Sequence, residues 1–210
     1  MTYPNNSNAA DQDIYILLTD TGTYFTRLIK AFTAAPYNHA SIALDAGLKE
    51  LYSFGRKRPT DPWRAGFIEE DIAEGTYRHF PETRCALLRY RVTKRQRAAI
   101  ARTIRRFQER KDGLRYNFIG LFGVLLGFEL APRDAYFCSQ FVSEVLRRGE
   151  AALWDRPSAL VAPNDFLQHP ALERVYEGYL RDYPLLDRRR EASDRVGMTA
   201  AGYQVNNQAV

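Results

Sequence analysis

The chain has 210 residues, of which 45% are hydrophobic and 26% are charged, and its formal net charge is +5. This length and composition suit one compact domain with a sizeable core and argue against wholesale disorder. No apolar run reaches the roughly 18–20 residues that a membrane-spanning helix needs. Two cysteines, Cys85 and Cys138, are too few for a disulfide framework or a zinc site.

The distribution of apolar residues predicts the domain organisation. We predict a flexible N-terminus over residues 1–12, a single domain over residues 13–187 and a flexible polar tail over residues 188–210. The first residues of the chain contain no basic region followed by an apolar stretch. We therefore expect no secretory signal, a cytoplasmic location and reduced thiols.

Much of the basic excess lies in residues 94–111, and another part lies in residues 188–190. A basic excess can indicate an anionic partner, but here a solvated helix face is the simpler interpretation. The sequence contains no zinc-finger spacing, RNP-type aromatic motif or Walker loop. We therefore expect no nucleic-acid partner.

The first half of the chain predicts strands around one helix. The apolar run over residues 13–19 predicts a buried strand, and the apolar spacing over residues 23–32 predicts a helix. Residues 39–44 and 50–55 predict a hairpin around the turn at Asp45, Ala46 and Gly47. Residues 56–62 predict a basic loop, and residues 67–72 predict a short edge strand.

The second half predicts a strand and two amphipathic helices. Residues 84–92 alternate as a strand does, and Thr93 is a good N-cap for a helix over residues 94–110, with Ile100, Ile104 and Phe107 on its buried side. The uncharged residues 118–128 predict a core segment or a loop over an apolar groove. Residues 136–148 predict a helix that Gly149 ends, and Asp165 is placed to cap a short helix into Leu167.

Cysteine catalysis needs a thiolate, a base and a group that orients the base, and the chain offers a candidate for each. Cys138 lies at the start of a predicted helix, where the helix dipole favours negative charge. His39 opens a predicted strand and is the candidate base. In a tight hairpin, Ser53 or Phe54 lies opposite His39, and only Ser53 is polar; Glu50 is a weaker candidate.

Each of these residues also has a structural interpretation. Cys138 would fit the apolar side of its helix as a core thiol, and His39 would fit a strand end. His79 and His169 lie near prolines, as turn residues do, and Cys85 lies within a strand. The sequence 17–22 (LLTDTG) resembles the aspartic-protease motif, but a single copy would require a homodimer, and a strand-to-helix turn explains it better.

Three segments together resemble a known family. They are residues 38–44 (NHASIAL), 51–57 (LYSFGRK) and 136–142 (YFCSQFV). These resemble the circularly permuted papain-fold enzymes, the YaeF/YiiX-like amidase group within the NlpC-like superfamily. The histidine comes first and the cysteine follows 138 − 39 = 99 positions later, as the permuted order requires. The resemblance covers about residues 14–183 and includes the late turn at residues 163–166.

The resemblance implies an α+β fold in which a small antiparallel sheet or half-barrel carries the histidine and a helix presents the cysteine across a groove. It implies a cysteine hydrolase of the amidase or peptidase type, in which Cys138 and His39 act through a thioester on an amide or ester. The third position in such enzymes is often Glu, His or Asn, whereas the corresponding place here holds Ser53.

The expected substrates are a small peptide, an amino-acyl compound or a lipid-like molecule. The apolar residues 118–128 and the basic surface keep a lipid-directed thiol acyltransferase or hydrolase, with peripheral membrane contact, as an alternative. A non-catalytic binding module that retains the fold is a second alternative. No metal or organic cofactor is indicated, and the sequence does not fix the oligomeric state.

Overall fold

A computed structural model describes residues 12–21, 35–58 and 61–186 of the chain. Its fold class is α+β, with a six-stranded antiparallel sheet in the order β4-β3-β2-β1-β5-β8. The strands of this sheet are β1 (Gln12–Asp20), β2 (His39–Ala43), β3 (Leu51–Arg58), β4 (Asp61–Glu70), β5 (Arg84–Val92) and β8 (Glu173–Tyr179). The predicted helix over residues 23–32, the N-terminus and the tail from residue 188 lie outside the described residues.

Five α-helices occur in the described part of the chain. They are α1 (Gly75–His79), α2 (Lys94–Glu109), α3 (Phe118–Leu126), α4 (Cys138–Arg148) and α5 (Pro163–Gln168). Two short strands, β6 (Arg115–Tyr116) and β7 (Ala135–Tyr136), pair in parallel beside the main sheet. Among the helices described, none combines the length and apolar character required to cross a bilayer.

The central strand β1 is covered on both faces, which explains its continuous apolar sequence. Ile16, Leu17 and Leu18 are fully buried. Ile16 and Leu18 belong to a large core with side chains of α2 and α4, and Leu17 belongs to a smaller core that includes Tyr77 of α1. The strands predicted over residues 13–19 and 84–92 are confirmed.

The prediction of a loop over residues 56–62 is wrong for residues 56–58 and 61–62, which are in strands, and residues 59–60 lie outside the described part of the chain. Strand β3 continues to Arg58 and β4 begins at Asp61, and these two residues pair across the hairpin. The predicted edge strand over residues 67–72 is therefore longer, and it ends at Glu70. Because β4 is at the edge of the sheet, it tolerates a proline and several charged residues that suggest a loop in the sequence.

The helix predicted after Thr93 is confirmed. Thr93 caps α2 by accepting the N–H of Gln96, and the Gln96 side chain accepts the N–H of Thr93 in return. The predicted buried residues of this helix, Ile100, Ile104 and Phe107, lie in the large core.

The prediction for residues 118–128 is wrong in part, because residues 118–126 form helix α3 rather than a loop. Its Ile119 is 65% exposed and Leu126 is 71% exposed, so the segment is not a simple core element either. The predicted helix 136–148 begins two residues later than expected, since Tyr136 pairs with Tyr116 in the small sheet. Cys138 is consequently the first residue of α4.

Aromatic side chains fix α4 against the sheet. The Phe54 ring of β3 lies 5.2 Å from the ring of Phe141 and 5.3 Å from that of Tyr136. Phe107 of α2 also packs on Phe141, with a distance of 5.1 Å between ring centroids. This cluster places the start of α4 beside the start of β2, where His39 lies.

Candidate active site

The position of Cys138 depends on the residues that anchor the first turn of α4. The Gln140 side chain accepts the N–H of Phe137, and Asn117 donates to the Gln140 side chain at 3.3 Å. Asn117 also donates to the carbonyl of Leu130 at 2.7 Å. Cys138 is 2% exposed. Its sulfur lies 3.9 Å from the carbonyl oxygen of Asn38, the residue just before β2.

His39, the first residue of β2, is the direct neighbour of this sulfur. Its imidazole lies close enough to the Cys138 side chain for each group to shift the pKa of the other. The other side of the ring faces Glu70, at 2.8 Å between His39 Nε2 and Glu70 Oε1. Since Nε2 is engaged by the carboxylate, Nδ1 is the nitrogen left for the sulfur.

Glu70, the last residue of β4, is the third group at the site. Its side chain is only 5% exposed, against 23% for His39. A carboxylate in such a position is costly unless its oxygens accept hydrogen bonds. The three groups are therefore Cys138 at the start of α4, His39 at the start of β2 and the buried Glu70 at the end of β4, in that order.

Three hydroxyl groups also bind the Glu70 carboxylate, and we call them the hydroxyl seat. Ser41 donates to both carboxylate oxygens at 3.0 Å, and Tyr77 donates to Oε2 at 2.6 Å. The hydroxyl of Ser53 donates to Oε1. The hydroxyl seat thus comprises Ser41 of β2, Ser53 of β3 and Tyr77 of α1.

In the site, the charged form of each of the three groups stabilises the charged form of its neighbour. Burial disfavours the imidazolium of His39, but the Glu70 carboxylate and the Cys138 sulfur outweigh burial and raise the pKa of His39 to about 10. Burial also opposes ionisation of Cys138 and Glu70, yet the nearby His39 holds the pKa of each below its ordinary value. These directions favour a thiolate, an imidazolium and a carboxylate at neutral pH.

Two backbone groups add to the stabilisation of the thiolate. The N–H groups of Ala40 and Ser139 both donate toward the Cys138 sulfur and lower the pKa of its thiol. Ser139 belongs to the first turn of α4, whose N–H groups have no partner within the helix. The sulfur therefore lies where strand and helix both direct N–H dipoles at it.

Of the residues predicted for the site, Cys138 and His39 meet directly, whereas Ser53 does not take the predicted place opposite His39. The hairpin pairs Ile42 with Tyr52, and continuing that register places Gly55 opposite His39. Ser53 donates to the carboxylate instead, so it reaches the imidazole only through Glu70. The weaker candidate, Glu50, lies in the turn, where its N–H donates to Asp45 at 2.8 Å.

The remaining histidines and Cys85 have structural surroundings. His79 Nδ1 lies 2.8 Å from the Gly75 carbonyl, and His169 Nε2 lies 2.9 Å from the Leu153 carbonyl. Cys85 is fully buried, and burial with the charge of Glu177 raises the pKa of its thiol to about 12. Cys85 is therefore a poor nucleophile.

Asp20, the acid of the sequence that resembles an aspartic-protease motif, accepts a hydrogen bond of 3.1 Å from the side chain of Asn38. It thereby helps to hold the residue that precedes His39. This bond gives Asp20 a role in shaping the start of β2.

Glu70 is the site residue that the sequence analysis missed. One signal for it exists: Ser41 and Ser53 interrupt two buried apolar strands, and buried hydroxyls need a polar partner. Their spacing does not identify which acid supplies that partner. Glu70 follows the segment that was predicted as a loop, and its position depends on the β3–β4 pairing, which sets it opposite Leu51.

Comparison of the chain with protein-family models, with curated proteins and with solved structures finds no match. Its function is therefore inferred from the chemistry of the site. A buried thiol beside an imidazole, which is in turn held by a carboxylate, is suited to nucleophilic attack on a carbonyl carbon.

Proposed function

We propose that the protein is a cysteine-dependent hydrolase of the amidase or peptidase type, acting on an amide or ester through a thioester. The observation that carries this proposal is the placement of the Cys138 sulfur, 3.9 Å from the carbonyl oxygen of the residue before His39, beside an imidazole that lies 2.8 Å from the Glu70 carboxylate. In this reaction Cys138 is the nucleophile and His39 is the base and acid. Glu70 orients the imidazole and stabilises its positive charge.

The proposed reaction proceeds in two halves. In the first, the Cys138 thiolate forms a bond to the substrate carbonyl carbon, and the carbonyl π electrons move to oxygen. Collapse of this tetrahedral species breaks the bond to the amine or alcohol, which leaves with the proton of the His39 imidazolium. In the second half, His39 takes a proton from water, the resulting hydroxide attacks the thioester, and the acid product leaves as the thiolate re-forms.

The negative oxygen of each tetrahedral species needs hydrogen-bond donors that are already in place. The first turn of α4 offers backbone N–H groups beside the sulfur, including that of Ser139. Their orientation is fixed by the contact between Asn117 and Gln140 described above. We therefore assign the oxyanion site to the start of α4.

We also propose that the fold is a permuted papain-like arrangement. Two features support this assignment: a strand of an antiparallel sheet carries His39, and a later helix begins at Cys138. The order in the chain is histidine, acid, cysteine, since Glu70 lies between the other two. The acid at Glu70 also agrees with the family's preference for a polar third group.

The proposal is tested by the pH dependence of Cys138 alkylation with iodoacetamide, read by mass spectrometry, in the wild type and in His39→Ala. We expect the wild-type reaction to persist well below the free-thiol pKa of about 8.5. In His39→Ala the half-maximal rate should move to pH 8.5 or above. Cys85 in the same sample is the internal control, and thermal melting verifies that the variant is folded.

An ordinary pH profile at Cys138 in the wild type would contradict the hydrolase proposal. The alternative of a non-catalytic binding module would then be favoured, because such a module has no need of an ionised thiol. A positive profile is followed by incubation with p-nitrophenyl acetate. An acetyl adduct on Cys138, absent in Cys138→Ser, would demonstrate the acyl transfer.

A second candidate is a lipid-directed thiol acyltransferase or hydrolase with peripheral membrane contact. Exposed apolar side chains on and after α3 favour it, with Leu126 71% and Phe128 66% exposed. Through Asn117, the following loop is hydrogen-bonded to the residues that begin α4, so this surface adjoins the site. A lipid bilayer would bury such side chains favourably.

Co-sedimentation with vesicles of phosphatidylcholine and phosphatidylglycerol tests the lipid candidate. Binding should be lost in Leu126→Ser with Phe128→Ser and retained in Leu185→Ser, a control that changes an exposed leucine elsewhere. Equal binding by all three proteins would exclude this surface as the contact. No binding by the wild type would leave a small peptide or amino-acyl substrate as the favoured class.

A further inference from the structure

The Glu70 carboxylate could contact His39 through one oxygen alone, yet the hydroxyl seat donates hydrogen bonds to both of its oxygens. Both oxygens accept, and the donors come from two strands and a helix that are separate in the sequence. Ser41 and Ser53 are fully buried and Tyr77 is 8% exposed. Buried hydroxyl groups from three elements that converge on one acid form a built site rather than a chance contact.

A carboxylate in this position has two ways to lower its free energy. It can take up a proton and become neutral, or it can remain charged if donors replace the water it has lost. Despite burial, the nearby His39, together with hydrogen bonds from Ser53 and Tyr77, holds the pKa of Glu70 below its ordinary value. Tyr77 remains a donor at all relevant pH values, since burial and the charge of Glu70 hold its pKa well above 10.

We propose that the hydroxyl seat is a positioning device for the hydrolase reaction: it holds the carboxylate of Glu70 in place and charged, and so keeps His39 aimed at the nucleophile. The inference rests on the proposed function. It assigns a role to Ser53 different from the predicted one. The residues of the seat act through Glu70 and touch no reacting atom, so they are positioning residues.

The seat matters because the charge of Glu70 decides the proton balance between His39 and Cys138. If Glu70 takes up a proton, the imidazolium loses its partner and the thiolate loses its cation. Weakening the seat should therefore raise the pH at which the thiolate forms. A merely structural role for these hydroxyls would change stability without moving that pH.

The test measures the pH profile of Cys138 alkylation in Tyr77→Phe and in the double variant Ser41→Ala, Tyr77→Phe. The phenylalanine keeps the ring and removes only the hydroxyl. The matched control is Tyr183→Phe, which removes another buried tyrosine hydroxyl, one that donates to the Ala46 carbonyl.

We expect the acidic limb of the profile to move upward by about one pH unit in Tyr77→Phe and further in the double variant, since hydrogen bonds to charged groups are strong. The control should keep the wild-type midpoint. Thermal melting of each variant separates a shifted profile from a loss of folded protein.

The outcomes separate this inference from the proposed function. A low wild-type midpoint that Tyr77→Phe and the double variant leave unchanged would overturn the inference and leave the hydrolase proposal standing. An equal shift in Tyr183→Phe would also overturn it, because the effect would then be general. A wild-type midpoint near that of a free thiol would overturn the hydrolase proposal, and the inference with it.

Discussion

Replacing Glu70 with glutamine removes one negative charge beside His39 and keeps the length and shape of the side chain. The amide oxygen can still accept from the imidazole, but the amide nitrogen cannot accept from the hydroxyl groups of Ser41 and Tyr77. The change therefore removes the charge and disturbs the hydrogen bonds that fix it. His39 should lose the main cause of its raised pKa.

The size of the effect follows from the ionisation of the site. Glu70 is the principal cause that opposes burial in raising the pKa of His39 from 6.5 to about 10. Without it, burial is opposed only by Cys138, so the pKa of His39 should fall and more of the imidazole should be neutral at pH 7. Cys138 then behaves as a thiol, of which only about 3% is ionised at pH 7 when the pKa is about 8.5. The thiolate fraction should fall about 30-fold.

The assay is again alkylation by iodoacetamide from pH 4 to pH 10, with the midpoint rather than the rate as the readout. A thiolate of higher pKa is more nucleophilic, with a Brønsted slope of about 0.4–0.5, and this partly offsets its lower abundance. We expect the midpoint of Glu70→Gln to lie at pH 8.5 or above. Hydrolysis of p-nitrophenyl acetate at pH 7 should fall with the thiolate fraction.

Glu69→Gln is the matched control, because Glu69 is the preceding residue of the same strand and its carboxylate is held by Gln108 at 2.8 Å. This variant should keep the wild-type midpoint. A Glu70→Gln protein that melts as the wild type does and retains a midpoint below pH 7 would refute the reasoning. In that case the ionisation of Cys138 would not depend on the carboxylate.

Three further predictions concern packing, capping and pH. In Gly55→Ala the new Cβ would lie 3.1 Å from Ile68 Cδ1 and 3.4 Å from His39 Cε1, so we expect hydrolysis to fall severalfold while the melting temperature changes little. In Thr93→Ala the loss of the N-cap of α2 should lower the free energy of unfolding in urea by about 1 kcal/mol. In Cys138→Ala the free energy of unfolding should fall by up to about 2.7 kcal/mol relative to the wild type as pH rises from 6.5 to 8.5, at 1.36 kcal/mol per unit. In the variant, native His39 stays protonated beside Glu70 over this pH range, whereas the unfolded histidine loses its proton, so stability falls as pH rises. In the wild type, native and unfolded states hold nearly equal numbers of protons over this range, because the unfolded Cys138 thiol keeps a proton that the native thiolate lacks.

Local sequence signals predicted the elements whose cause is local. Strand β5 alternates over its length, and the cap at Thr93 depends only on residues within one helical turn. The start of α4 was displaced by two residues, because Tyr136 pairs with Tyr116 in β6, twenty positions earlier in the sequence. A pairing at that distance overrides helix periodicity and cannot be found from a short window.

The hairpin formed by β3 and β4 was harder to predict because it lies at the edge of the sheet. Its arginines, lysine and proline are residues that loops also favour, and only the central Phe54 and Phe67 point to a strand. Predicting a short strand over residues 67–72 left Glu70 inside that strand rather than at its end. The β3–β4 pairing that sets Glu70 opposite Leu51, from where its side chain reaches Ser53 and His39, could therefore not be predicted.

The composition of the site explains why two of its residues could be predicted and the third could not. Cys138 and His39 are each chemically scarce, and each lies at the start of an element, where position and chemistry agree. Glutamate is common, and Glu70 is distinguished only by what the fold places around it: an imidazole and three hydroxyl groups from β2, β3 and α1. Its function is a property of the tertiary structure, because the burial that makes a charged acid costly is also what makes its charge effective on His39.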